Sequence, residues 1–491
     1  MKTLLLLLLL SFASVAHSAT YYVDYTAADD SASRTTKSTP WKRCPGMVGF
    51  SGSYSHTAGD VFVFKGGVTW PASVLPLIIG YSGAAGHTDT YTVDQTWYSG
   101  ASYSYPVFDG QQSLGRHASL ISASGKSYLL INGIKAQNVG SPVDGSGTAI
   151  EASNGSYIEV SHCWLQPAGI QAFAYDNDAG TANAIYFHDN HIAKAGRFVI
   201  YGRIDAVTND VRVYNNVMEG PGNMFLGNYH EDGLMIGCPV QGSTTHTVTN
   251  ILFYNNSFIG DWSEGATALY YSNGWTNHTK IYNNVFAFEQ TSPVQNVFSP
   301  GFIDMGNNDA DIAIYNNTFA NDNIHGFDKQ GLGATNGVGI YTPTAGTTVI
   351  IKNNIFSLTG IDINMDNSTG ATLTADYNLH YPGTSHWGDL LWVGSTQYKT
   401  LAAAQAAGYE THSPAVAAPQ FISVGNGATG SANWALQFGS PAIGAGVNLN
   451  SIFTMDVLSK NRGPTWDIGA YQHQTTPAVP PTNAATDISV R

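Results

Sequence analysis

The segment Val211-Arg212-Val213-Tyr214-Asn215-Asn216-Val217 decides the fold, because its pattern returns along the middle of the chain. The pattern is a run of strand-forming residues, then Asn-Asn, then apolar residues. It recurs at residues 252–258, 281–286, 314–319 and 351–356, with looser copies at 158–164 and 186–192. Self-similarity of this kind is the sequence signature of a solenoid or of another repeat array.

The repeating unit distinguishes between these arrays. No amphipathic pattern at i, i+3 and i+4 accompanies the repeats, so the unit consists of short strands. The second Asn returns after 26 to 40 residues, which fits a constant coil with loop insertions. A β-propeller is the competing array, but it has a steadier period and blade signatures. Asn tolerates a left-handed backbone turn, so we expect stacked coils whose Asn side chains hydrogen-bond in a ladder.

A second column of strand candidates lies between the Asn-Asn repeats. Its members are residues 149–151, 173–175, 199–201, 234–236, 268–270, 302–304, 339–341 and 361–363. Their regular order supports the solenoid and indicates which loops are neighbours in the stack.

The composition favours strands and turns and excludes one class of partner. Charged residues make up 11% of the 491 residues, against about 25% in an ordinary globular domain. Gly is abundant at 53 residues, and the hydrophobic content of 43% suffices for a long core. The net charge of −14 argues against nucleic acid as a partner, because binding phosphates requires a basic surface.

The N-terminal segment indicates the compartment of the protein. Lys2 and the apolar run at residues 4–10, followed by small residues, predict a signal peptide over residues 1–19. The run is shorter than the roughly 20 apolar residues that span a bilayer, so we expect a secreted or periplasmic protein without a membrane anchor. Residues 476–491 are rich in Thr, Pro and Ala and are predicted to form a disordered tail.

The three cysteines, Cys44, Cys163 and Cys238, are interpreted as buried apolar positions.

The segments that flank the repeats carry a family resemblance. The opening Tyr21-Tyr22-Val23-Asp24, the stretch Ala58-Gly59-Asp60-Val61-Phe62-Val63-Phe64 and the closing Asp467-Ile468-Gly469-Ala470-Tyr471-Gln472 look like its first strand, first coil and last segment. With the Asn-Asn repeats, the chain resembles the secreted, pectate-lyase-like superfamily. The resemblance implies a right-handed parallel β-helix over residues 20–475, with an N-terminal cap and a short C-terminal helix, predicted at 399–412, or a loop cap. It does not choose an activity, because the superfamily includes lyases, hydrolases, epimerases and proteins without known activity.

Charge is concentrated in one part of the chain. The clustered residues are Lys194, Arg197, Arg203, Asp205, Asp210, Arg212, Glu231 and Asp232. The stretch Tyr229-His230-Glu231-Asp232 stands directly before the column strand at 234–236. Stacked coils bring equivalent places about 4.8 Å apart, so neighbouring coils add their residues to one constellation.

This constellation suits a lyase acting on a uronate-containing polysaccharide. The proton beside a uronate carboxylate is weakly acidic until Ca²⁺ or Arg neutralises that carboxylate, and a base must then remove it. The candidate catalytic residues are His230 or Lys194 as the base, with Arg197 on the substrate carboxylate. The candidate calcium ligands are the hard oxygen donors Asp205, Glu231 and Asp232. The candidate substrate-binding residues are Arg203, Tyr229, Trp262 and Tyr270.

Two alternatives remain open at this point. A glycoside hydrolase needs two carboxyl groups about 5–9 Å apart, and Asp232 with Asp205 or Glu264 is the candidate pair. A non-catalytic glycan-binding or adhesin β-helix is the other, and His-Glu-Asp-Gly can also be an ordinary polar turn. We expect a monomer whose partner is an acidic polysaccharide, with neither nucleic acid nor membrane bound.

Overall fold

The Asn-Asn repeats form the corners of a β-helix in the structure, a computed structural model. It describes residues 18–473 apart from the gaps at 116, 141–146, 167–170, 179, 194–196, 203–205, 221–232, 238–246, 261–268, 273–274, 290–300, 307–308, 322–335, 383–387 and 427–429. Each complete coil contributes one strand to each of three sheets, and every strand of the helix body pairs in parallel with the strand three places later. The protein is therefore a right-handed parallel β-helix, as predicted.

The strands define three long sheets, called A, B and C in the order in which each coil passes through them. Sheet A contains β1 (Thr20–Val23), β2 (Val61–Gly66), β5 (Asp89–Tyr98), β8 (Leu129–Asn132), β11 (Ile158–Ser161), β14 (Gly180–His188), β17 (Ala206–Tyr214), β20 (Thr247–Tyr254), β23 (Trp275–Tyr282), β26 (Ala310–Tyr315), β29 (Thr348–Lys352) and β32 (Thr372–Asp376). Sheet B contains β3 (Thr69–Pro71), β6 (Val107–Asp109), β9 (Lys135–Gln137), β12 (Trp164–Gln166), β15 (His191–Ile192), β18 (Val217–Glu219), β21 (Ser257–Ile259), β24 (Val285–Phe288), β27 (Thr318–Asn321), β30 (Ile355–Ser357) and β33 (Leu379–Tyr381). Sheet C contains β4 (Leu77–Ile78), β7 (Ser119–Ser124), β10 (Thr148–Ser153), β13 (Gln171–Asn177), β16 (Arg197–Gly202), β19 (Leu234–Gly237), β22 (Leu269–Ser272), β25 (Gly301–Met305), β28 (Asn336–Ile340), β31 (Ile361–Met365), β34 (Asp389–Val393) and the antiparallel β35 (Thr396–Tyr398).

The two Asn residues of each repeat have different structural roles at the corner between sheets A and B. The first adopts a left-handed conformation, as Asn215 does at φ 55° and Asn283 at φ 56°. The second is buried and donates from Nδ2 to Oδ1 of its counterpart in the next coil. These ladder bonds run Asn190–Asn216–Asn256–Asn284–Asn317–Asn354–Asn378 at 2.9–3.1 Å. The predicted ladder is confirmed.

Apolar side chains fill the interior beside the ladder. A stack of rings runs through four successive coils at centroid distances of 5.1–5.3 Å, formed by Phe258, Phe286, Phe319 and Phe356. His380 continues this stack at 5.6 Å from Phe356. Cys44 and Cys163 are buried free thiols, as predicted, and Cys238 lies outside the described residues.

The C-terminal end of the helix is covered. The predicted helix forms over a shorter range, α1 (Leu401–Ala406), because Gly408 at φ 91° ends it. It buries Ala404 and packs on β34 and β35. Glu410 then accepts a hydrogen bond of 2.9 Å from Nδ2 of Asn378, which ends the ladder. The open edge expected there is thus capped.

The remaining chain returns along the corner between sheets A and B. It includes the antiparallel pair β36 (Phe421–Ser423) and β37 (Asn433–Leu436). The first Asn residues of three repeats donate to its backbone: Asn283 to Met455, Asn316 to Asp467 and Gly469, and Asn353 to Val447. No described helix is long and apolar enough to cross a membrane.

Candidate functional site

Most of the predicted site residues cannot be placed. Lys194, Arg203, Asp205, Tyr229, His230, Glu231, Asp232 and Trp262 lie outside the described residues. The backbone positions of Arg197, the first residue of β16, and of Tyr270, within β22, are described. The site assignment therefore stays a prediction, but the strands that flank it are known.

The flanking strands divide the prediction into two groups. β16 and β19 pair in parallel, with Phe198 opposite Leu234, so the first residues of both strands lie at the same edge of sheet C. Arg203 and Asp205 instead follow the far end of β16 in sequence. Glu231 and Asp232 precede β19 in sequence. The calcium ligand set stays a prediction, because Asp205, Glu231 and Asp232 lie outside the described residues.

Sheet C itself contributes a carboxyl group that the sequence did not single out. Asp304 in β25 is the register partner of Tyr270, and its neighbours Ile303 and Met305 are in the core. Since side chains alternate along a strand, Asp304 points away from the core on the outer face of sheet C. It is nevertheless only 7% exposed.

The surroundings of Asp304 alter its proton affinity. Burial raises the pKa of its carboxyl from 3.8 to about 7. The described residues provide no hydrogen bond or ion pair to this carboxyl group. A buried carboxyl without a partner is costly to a fold, and such groups with a perturbed pKa concentrate at functional sites.

A tyrosine lies close to Asp304. Burial and the charge of Asp304 raise the pKa of Tyr341 to about 12, and its hydroxyl accepts a hydrogen bond of 3.0 Å from Nδ2 of Asn336. Gly339, the register partner of Asp304, makes room for the ring, because a Cβ there would lie 3.0 Å from the Tyr341 hydroxyl. The outer face of sheet C thus holds a carboxyl that can exchange a proton near pH 7, beside a phenol that stays protonated.

The adjoining strands of sheet B carry an aromatic row on their outer side. The ring of Trp164 stacks on His191 at 5.3 Å, and the Lys135 ammonium lies 4.7 Å above Trp164. Nε2 of His191 is 2.8 Å from Oε1 of Glu219, the last residue of β18. A flat ring beside charged groups is a surface on which sugars stack.

A metal finds no complete set of ligands in the described part of the chain. No group of three or more His, Cys, Asp or Glu side chains there could hold an ion. Asp304 is a hard oxygen donor of the kind that Ca²⁺ prefers, but one carboxylate does not make a site. The calcium prediction therefore rests on the sequence alone, with Asp205, Glu231 and Asp232 as the candidate ligands.

Asp304 does not stand out in the sequence, because the pattern Phe302-Ile303-Asp304 predicts only a strand. One signal could have revealed it, a lone acidic residue at an outward position among apolar ones. Its burial depends on neighbours distant in sequence, which no local pattern contains.

Comparison with known proteins yields similarities of fold. No family model matches the sequence, and no curated protein matches it significantly. Among solved structures, the chain is similar to the pectate lyase Pel9A, with 13% identity and a TM-score of 0.47, over 94% of this chain and 98% of that one. A rhamnogalacturonan lyase is similar at 12% identity and a TM-score of 0.39, over 83% and 91% of the two chains. An alginate lyase from Paenibacillus sp. str. FPU-7 is similar at 14% identity and a TM-score of 0.38, over 69% and 93%.

Proposed function

We propose that this protein is a secreted polysaccharide lyase that cleaves a uronate-containing polysaccharide by β-elimination on the outer face of sheet C. The observation that carries the proposal is Asp304, a buried carboxyl without a described partner on that face. It lies in register with Tyr270, on the sheet that contains β19, the strand that follows His230 in sequence. The signal peptide predicted over residues 1–19 supports the proposal of secretion.

The chemistry assigns a task to each group. The base, His230 or Lys194, takes the proton from the carbon beside the uronate carboxylate, and the bond to the departing sugar oxygen breaks as a double bond forms. Arg197 neutralises the uronate carboxylate. Burial favours the protonated form of the Asp304 carboxyl by raising its pKa to about 7, so this group can donate the proton that the departing oxygen needs. Bound at Asp205, Glu231 and Asp232, Ca²⁺ would acidify the substrate by the same neutralisation.

The test is the appearance of unsaturated uronate products, which absorb in the ultraviolet. The purified protein is incubated with a panel of acidic polysaccharides, with added Ca²⁺ or with EDTA. We expect an increase that His230→Ala, Asp232→Ala and Asp304→Asn each abolish, and EDTA abolishes it if calcium participates. Asp311→Asn is the matched control, because Asp311 is an exposed acid of sheet A. Reducing ends without unsaturated products would replace the proposal with a hydrolase, and neither signal would leave a binding protein.

Stability gives a second, independent test of Asp304. The fold raises the pKa of this group, so the neutral form is favoured and stability is lost as pH rises from 3.8 through about 7. The shift of about three pH units corresponds to about 4 kcal/mol. Asp304→Asn should therefore raise the unfolding free energy at pH 8 by up to about 4 kcal/mol while abolishing activity. A variant that is destabilised at pH 8 would show that Asp304 serves the fold instead.

A further inference from the structure

A row of left-handed residues crosses the outer side of sheet A. One such residue precedes each of the register-aligned strand positions from Leu129 in β8 to Ile312 in β26. The row consists of Tyr128, Tyr157, Ala184, Asp210, Asn250, His278 and Asp311, all at φ between 51° and 60°. None of the seven residues is Gly, and the left-handed conformation of each costs about 1–2 kcal/mol of conformational free energy. The chain thus places side chains, coil by coil, along one line on the surface.

The composition of this row opens a slot. The rings of Tyr128 and Tyr157 are stacked at 4.5 Å and 9°, and Tyr157 is 45% exposed. Ala184 comes next and has no ring to continue the stack. Asp210 follows one coil later, so Tyr157 and Asp210 are two coils, or about 9.5 Å, apart. The cavity there has a volume of about 640 Å³ and is lined by residues of four coils and by the loop at 85–88.

Polar side chains are held at fixed positions in and beside the slot. The Tyr186 hydroxyl donates to Asp210 at 2.6 Å, and the Arg212 guanidinium holds the same carboxylate through bonds of 2.7 and 3.1 Å. Nδ2 of Asn209 donates to Asn183 at 3.1 Å. One face of the slot is therefore aromatic and the opposite face offers ordered hydrogen-bonding groups, the arrangement that pyranose rings require.

The charge of the slot defines which sugars it accepts. The lining residues include Glu159 and Asp210 and no Lys or Arg. Arg212 neutralises Asp210, and behind Glu159 the His188 ring lies between this carboxylate at 3.1 Å and Asp189 at 2.7 Å. One net negative charge remains with His188 protonated, so an anionic uronate would be repelled.

We propose that this slot binds an uncharged pyranose ring of a polysaccharide, stacked on Tyr157 in the place that Ala184 leaves open. The site lies on sheet A, and it is independent of the reaction proposed for sheet C. It would hold neutral segments of a mixed polymer, or a neutral companion polymer, against the enzyme.

The decisive variant is Ala184→Tyr. Tyr157 and Tyr128 adopt φ 60° and 57° at the equivalent positions, and Ala184 is at φ 59°, so the backbone accommodates tyrosine there. The new ring would extend the existing stack and fill the slot. Asp311→Tyr is the matched control, since it puts the same side chain in the same row, four coils away.

Binding is measured by affinity electrophoresis in gels that contain soluble neutral polysaccharides such as xylan, galactan, glucomannan and hydroxyethyl cellulose. We expect at least one of them to retard the wild-type protein and Asp311→Tyr equally, with at least tenfold weaker binding by Ala184→Tyr and by Tyr157→Ala. No retardation by any neutral polymer would overturn the proposal. Retardation that Ala184→Tyr leaves unchanged, or retardation by acidic polymers only, would overturn it as well. The measurement needs no turnover, so its failure is distinct from a failure of the lyase proposal.

Discussion

Removing one rung of the Asn ladder tests whether this interior network holds the coils together. Asn284 is the middle rung and is fully buried. Its Oδ1 accepts from the backbone N–H of Asn256 at 2.9 Å and from Nδ2 of Asn256 at 3.0 Å. Its Nδ2 donates to Asn317 at 2.9 Å and to the carbonyl of Phe253 at 3.0 Å. Asn284→Ala removes all four bonds and adds no new partner.

The cost follows from the groups left behind. The N–H of Asn256 loses the acceptor that Asn284 supplied, which costs about 2 kcal/mol for a buried donor, and the Phe253 carbonyl loses a donor at about 1 kcal/mol. The vacated side-chain volume adds about 1 kcal/mol. Nδ2 of Asn256 still donates to Val213. We therefore expect a loss of about 4 kcal/mol in the free energy of unfolding, a large share of the total for a folded domain.

Two measurements check this value. Urea unfolding gives the free energy, and hydrogen–deuterium exchange of the peptide spanning residues 251–258 shows whether the damage is local. Asn367→Ala is the control, because Asn367 is exposed and should change stability by no more than about 0.5 kcal/mol. If Asn284→Ala loses less than about 1 kcal/mol and exchange at 251–258 is unchanged, the ladder does not stabilise the coils as argued.

Two further substitutions probe the last coils of the helix and the segment that returns along its side. Burial lowers the pKa of His380, but the carboxylates of Glu410 and Asp362 more than offset this and raise it from 6.5 to about 10. Wild-type unfolding free energy should thus fall as pH rises from 6.5 through 10, while His380→Phe should lose about 3–5 kcal/mol at pH 7 and lack that His-dependent slope in urea titrations. Arg462 is buried and donates to the carbonyls of Gly469 and Ala470 and to Asn283, so Arg462→Met should release the returning segment. Limited proteolysis should then cut within 447–473 before it cuts the helix, and equal resistance to wild type would contradict this anchor.

The stack of coils could be predicted from the sequence because the chain turns the corner between sheets A and B with the same residues in successive coils. Asn-Asn marks a corner in five coils, and the strand column between the corners marks sheet C. The different structural roles of the two Asn residues in each Asn-Asn pair could not be predicted. Both positions hold Asn, and only the register of neighbouring coils shows that Asn215 turns the chain whereas Asn216 forms the ladder.

The candidate site likewise has features that the sequence indicates and features that only the tertiary structure shows. Loop length and charge clustering point to the connections that enter sheet C, since insertions in a solenoid accumulate on one side. Asp304 could not be found in this manner, because its proton affinity comes from tertiary burial. The slot at Ala184 was hidden for a related reason. A missing ring is visible only once Tyr157 and Asp210 are known to occupy the same row.

The architecture explains why function can reside in single outward positions. The ladder and the Phe258–Phe356 ring stack lie inside and depend on contacts between adjacent coils, so changes there spread to both neighbours. An outward side chain contacts few groups, and replacing it alters the surface at small cost to the stack. Asp304 and Ala184 are two exceptions among the outward positions. Asp304 is a buried carboxyl, and Ala184 lacks the ring that Tyr128 and Tyr157 carry in the same row. Stability accounts for neither, which is why both are the positions where substitutions should separate activity and binding from folding.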